Sequence, residues 1–97
     1  MPSAKNYAIR RFVLSTTAWV SVVPPRTCSV VVLENADDTN ACAVSTDTDD
    51  PTAYKNLPAG AELLLESPVD GAFPPGEPVC FLKAIAGTGP AVVSFIR

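Results

Sequence analysis

The chain has 97 residues, a formal net charge of −3 and a sequence pI of about 4.6, with 47% hydrophobic and 18% charged residues. One hydrophobic core fits this length and two do not, because each half would bury too small a share of its surface. The acidic balance speaks against a nucleic-acid site, which needs a basic face, and no apolar run approaches the ~18 residues of a membrane span.

The pattern along the chain is that of short strands between frequent breaks. "YAIRRFVL" (7–14) and "AWVSVV" (18–23) come first, and Pro24-Pro25 stops the run because neither residue can donate to a ladder. "TCSVVVLEN" (27–35) is the most β-prone stretch, and its unbroken apolar run predicts a central strand buried on both faces. "ADDTN" supplies a turn and "ACAVST" (41–46) a short return strand.

A loop follows from "DTDDP" to "AYKNLPAG", with Leu57 expected to pack inward. "AELLLES" (61–67) has helix-forming residues, but seven positions between Gly60 and Pro68 are too few for a stable helix, so it reads as a strand. "SPVDGAFPPGEP" is rich in turn residues, with Phe73 as its anchor. "VCFLKAIA" (79–86) and "AVVSFI" (91–96) read as a closing hairpin around Gly87-Thr88-Gly89-Pro90. The expectation is one all-β domain over residues 1–97, with about seven antiparallel strands in a sandwich or jelly-roll-like barrel and residues 1–6 as an extended arm.

The reactive inventory is thin. There is no histidine, hence no usual general base, metal ligand or activator of a Ser or Cys nucleophile. Cys28, Cys42 and Cys80 lack CxxC spacing and stand among apolar neighbours. Buried thiols of a chain made in a reducing cytosol are expected, with a Cys28–Cys42 bridge as the alternative. "GTGP" reads as a turn requiring φ > 0, because it is too short for a phosphate cradle and no helix follows it. Asp47, Asp49 and Asp50 in "STDTDDP" read as a solvated loop, with a hard-cation site as the alternative. Trp19 reads as core, whereas Tyr54 is the better exposed aromatic anchor. No enzyme activity, cofactor or metal is expected.

Charge is segregated. Residues 1–26 carry Lys5, Arg10, Arg11 and Arg26 with no acid, and residues 27–54 carry Glu34, Asp37, Asp38, Asp47, Asp49 and Asp50 with no base. Either these are two solvated surfaces, or the basic end of one subunit meets the acidic loop of another. The second possibility makes Lys5, Arg10, Arg11, Arg26, Asp47, Asp49, Asp50 and Tyr54 candidate subunit or partner contacts.

From Ser45 to Pro90 the order "STD…Y-x-x-L-P-A-G-x-x-L-x-L…G-x-P-V-x-F-L-K-A-x-x-G-T-G-P" resembles small structural proteins encoded among the virion genes of tailed bacteriophages. The resemblance spans about half of the sequence and implies a β-sandwich virion subunit with no catalytic residues. It is most simply a decoration (cement) protein on the capsid surface, made in the host cytoplasm. Its implied partners are the major capsid protein and further copies of itself in a trimer or other small ring, with neither nucleic acid nor membrane. Two other classes fit the same pattern. One is a receptor- or glycan-binding fibre module, for which Trp19 and Tyr54 are the available aromatic material. The other is a head–tail adaptor or tail component.

Overall fold

The computed structural model describes residues 7–47, 53–67 and 72–97. Eight strands run through them: β1 (Tyr7–Leu14), β2 (Val20–Val22), β3 (Val30–Asn35), β4 (Cys42–Ser45), β5 (Lys55–Leu57), β6 (Glu62–Glu66), β7 (Cys80–Ala84) and β8 (Gly89–Ile96). The strand missed by the sequence reading is β5, whose three residues are too few to show a period of two. Leu57 at its end is buried as expected, and "AELLLES" does form a strand, β6.

The pairing is nested. β1 pairs with β8, β2 with β7, β3 with β6 and β4 with β5, all antiparallel. This is one long hairpin rolled up on itself, and successive pairs fall alternately into two four-stranded sheets, ordered β1-β8-β3-β6 and β2-β7-β4-β5. The connectivity is that of a jelly roll, and the two sheets pack as an open sandwich without closing into a barrel.

Rolling changes what the turns do. Only β4 and β5 are both consecutive and paired, so the expected terminal hairpin does not exist: β7 and β8 lie in opposite sheets. The "GTGP" segment is a crossover between layers. Its first glycine, Gly87, takes the positive φ of 63° that the sequence calls for. Its second, Gly89, is needed for space, because a Cβ there would lie 2.5 Å from Asp37 Oδ2.

The inner faces supply the core. Val31 and Leu33 of β3, Val93 and Phe95 of β8, and Leu82 of β7 are essentially inaccessible. Each such side chain contributes roughly 1.5–3 kcal/mol by leaving water. The prediction that β3 is buried on both faces is not met. Val30, Val32 and Glu34 are only half-buried, since their side chains lie on the outside of the sheet. Phe73 does anchor its turn-rich segment, packing on the core while its backbone bridges to Cys28.

All three cysteines are free and buried. A Cys28–Cys42 bridge does not form: Cys28 is held opposite Phe73, whereas Cys42 lies between Leu57 and Ala84 at the other end of the strands. Burial pushes all three thiols up, Cys80 to about 12, and the Asp37 carboxylate adds to the rise at Cys42.

At that same end a single amide ties four segments together. Asn35 is 1% exposed. Its Nδ2 donates to the carbonyls of Asn40 (2.9 Å), Leu57 (3.0 Å) and Pro58 (3.2 Å), and its Oδ1 accepts from the Asp37 N–H (3.1 Å). The Asp37 carboxylate in turn accepts the N–H groups of Thr39 and Asn40, which hold its pKa below the usual carboxylate range.

Two measurements check this architecture. A thiol reagent should react slowly with the native protein and titrate three groups after denaturation without reductant; fewer would mean a disulfide. Asn35→Ala strips the partner from the buried Leu57 carbonyl and from the part-buried Asn40 and Pro58 carbonyls and should cost about 3 kcal/mol in urea denaturation. Asn35→Asp should add a pH dependence. A carboxylate facing carbonyl oxygens has a raised folded pKa, so the variant is least impaired below its unfolded pKa of about 4 and loses stability as pH rises from there through the raised folded pKa. A loss below about 1 kcal/mol for Asn35→Ala would mean that solvent replaces the amide.

Candidate functional site

The most distinctive surface chemistry lies on the outer face of the β2-β7-β4-β5 sheet. Side chains alternate along a strand, so β4 should bury only one face. Instead all four of its residues are buried. Cys42 and Val44 belong to the core, whereas Ala43 and Ser45 point outward and are covered from above. Their small size leaves a dip in the centre of the sheet, and larger side chains from both sides lean over it.

Trp19 arrives just before β2 and Tyr54 just before β5, the two edge strands of this sheet. Their ring centroids are 5.7 Å apart with planes inclined at 58°, a tilted arrangement favoured by aromatic quadrupoles. Lys83 of β7 pairs with Ala43 in register and places Nζ 5.5 Å from the Trp19 ring centroid. Thr16, Ala84 and Ile85 complete the wall of a shallow depression of about 160 Å³. It offers an apolar floor, two aromatic walls, the Lys83 cation and the hydroxyls of Thr16 and Tyr54. That chemistry suits recognition of a ligand that is part apolar and part polar.

The sequence reading separated these two rings, assigning Trp19 to the core and Tyr54 to the surface. In the fold Trp19 is half-buried and Tyr54 is 52% exposed, and they form one unit. Lys83 was not singled out. Its place beside Trp19 depends on a strand register that one sequence does not reveal.

The remaining candidates disperse. Arg10 and Arg11 are exposed on β1, an edge strand of the other sheet. Arg26 is exposed in the β2–β3 connection, and Asp47 is exposed just past β4. Lys5, Asp49, Asp50 and the arm at 1–6 lie outside the described residues, as does most of the proposed cation loop. Among the described residues no group of three or more His, Cys, Asp or Glu side chains converges as a metal site.

The outer face of the β1-β8-β3-β6 sheet is different in kind. Ile9 (59% exposed), Val13 (74%) and Leu64 (54%) stand on it beside the half-buried Val32 and Val92. Row by row, Ile9, Ser94, Val32 and Leu64 run straight across the four strands, and Arg11, Val92, Glu34 and Glu62 form the next row. Comparison with protein-family models, curated proteins and solved structures finds no match to this chain.

The aromatic unit can be tested without a ligand. Tyr54→Ala should uncover Trp19, red-shifting its fluorescence and increasing quenching by acrylamide, while stability changes by no more than about 1 kcal/mol. An unchanged spectrum would mean that the two rings do not pack together in solution.

Proposed function

We propose that this protein is a non-enzymatic virion structural subunit that decorates the outside of a capsid and binds the major capsid protein. Two things support the reading: the resemblance between Ser45 and Pro90 to tailed-phage virion proteins, and the outer face of the β1-β8-β3-β6 sheet. That face is the single observation that carries it. Exposed Ile9, Val13 and Leu64 beside Val32 and Val92 make a broad, flat, apolar patch crossed by a few charges. Contiguous apolar surface of this kind marks a contact face in a folded domain. On a lattice each contact need only be modest, because many equivalent sites act together.

One observation favours a second reading, a glycan- or receptor-binding fibre module. The Trp19–Tyr54 pair with Lys83 is the shallow aromatic site such a module requires.

Capsids assembled without the protein separate the two. Added protein should occupy them at hundreds of copies per particle by quantitative mass spectrometry. Val13→Lys or Leu64→Lys should reduce occupancy at least tenfold with an unchanged melting temperature, whereas Tyr54→Ala should leave it unaltered. Occupancy near a dozen copies would favour a tail location. Absent capsid binding, together with oligosaccharide binding that Tyr54→Ala abolishes, would move the assignment to the fibre module.

A further inference from the structure

β1 and β6 are the two edges of one sheet, and no described strand pairs with the outer side of either. Their outward-facing main-chain groups can be identified from the bonds on the inner sides. The Pro90 and Ile96 carbonyls of β8 accept from β3-side residues Ala36 and Ser29. Alternation then turns Ala91, Val93 and Phe95 toward Phe12, Arg10 and Ala8, and leaves Ile9, Arg11 and Val13 facing outward from β1. Flanking β6, the Ala61 carbonyl and the Ser67 N–H bond to Asn35 and Ser29. The same alternation leaves Glu62, Leu64 and Glu66 facing outward from β6. On both edges, these residues carry their side chains on the outer face of the sheet.

We propose that a second copy of this chain docks by setting its β6 against β1 of the first, antiparallel, so that the sheet continues from subunit to subunit. The direction fits: the four strands alternate, so a β6 placed beyond β1 is antiparallel to it. The side chains fit as well. β1 presents Ile9, Arg11 and Val13 in turn, and β6 presents Glu62, Leu64 and Glu66. With Ile9 opposite Leu64, Arg11 falls opposite Glu62, giving one apolar and one charged pair on the same face. A shift of two residues that sets Arg11 against Leu64 instead places glutamates against Ile9 and Val13, whereas a shift of four sets Val13 against Leu64 and Arg11 against Glu66, so two registers satisfy the edges equally.

Charge also selects the partner edge. Arg10 and Arg11 on both sides disfavour β1 against β1, and Glu62 with Glu66 disfavour β6 against β6. Only the unlike pair is attractive. In the isolated subunit the Arg10 guanidinium reaches back to the Ile9 carbonyl at 3.1 Å, a bond that an arriving strand's N–H replaces. Such a contact is head-to-tail, and every subunit makes it twice in a closed ring. It concerns the purified chain alone and stands whether or not the capsid reading holds.

The test is sedimentation velocity on the full chain over a range of concentration and salt. The wild type should associate reversibly, less so at high salt. Arg11→Glu should weaken association at least tenfold, as should Glu62→Arg combined with Glu66→Arg. Mixing these two defective proteins should restore assembly, because each supplies the edge that complements the other. Leu64→Pro, which removes an outward-facing N–H together with the side chain opposite Ile9 and leaves the β3–β6 ladder bonds, should also dissociate the assembly with the sheet intact by circular dichroism. A wild type that stays monomeric at millimolar concentration, or defective variants that fail to complement each other when mixed, would overturn the proposal.

Discussion

The buried amide of Asn35 is the constraint on which the rest of the molecule depends. A rolled hairpin must bring the end of β3, the 36–40 loop, the end of β5 and the Pro58 turn to one place. None of these segments can satisfy the carbonyls it brings by regular ladder bonds alone. Asn35 Nδ2 meets three of them and Oδ1 holds the Asp37 N–H. An apolar side chain of equal size would leave the buried Leu57 carbonyl unpaired, at roughly 1–3 kcal/mol, and strip the partners from the part-buried Asn40 and Pro58 carbonyls. Asp37, fixed by this network, then demands a residue without Cβ at position 89, where β8 begins. The last strand of the sheet thus takes its starting point from an amide more than fifty positions earlier, and β8 sets the register of β1.

That seam leaves the two sheets with unequal outer faces. In the β2-β7-β4-β5 sheet the central strand β4 has alanine and serine outward, and aromatic rings from the edges flank the dip at Ala43. The result is a concave, chemically mixed surface suited to a ligand. In the β1-β8-β3-β6 sheet the outward positions hold branched residues such as Val30, Val32 and Ile9. With Val13, Val92 and Leu64 they make an apolar surface crossed by Arg11, Glu34 and Glu62. One fold therefore carries two outer faces of different chemistry back to back, distinguished by side-chain volume on the central strands.

Much of the fold was legible because strand signals are local. Alternation, proline breaks and the short reach of "AELLLES" place seven strands near their positions and exclude helix. What is not local was lost. β5 is three residues long, and its pairing with β4 spans a loop. The closing segment looks like a hairpin because "GTGP" offers turn chemistry, but whether the chain returns to the same sheet or crosses to the other depends on distant partners. The meeting of the two rings was not legible for the same reason. Trp19 and Tyr54 are each conspicuous in the sequence, yet their meeting requires two strands, β7 and β4, to stand between β2 and β5 with Ala43 outward. Segregation of charge between residues 1–26 and 27–54 is visible in the sequence, but that Glu62 and Glu66 stand on the sheet edge opposite that of Arg11 depends on the strand order.

Every open sheet must also dispose of its edges, and this protein does so in two ways. In the β2-β7-β4-β5 sheet both edge strands are three residues long, too short to template a neighbour. In the other sheet the edges are eight and five residues long, and length no longer protects them. Charge takes over: arginines on β1 and glutamates on β6. A protein that needed only to stay apart could place one sign on both edges, since like charges repel in every combination. Opposite signs repel only like edges and leave the unlike pairing open. The distribution of four charged residues on two strands therefore discriminates among edge pairings, and it does so without any group whose presence in the sequence would look unusual.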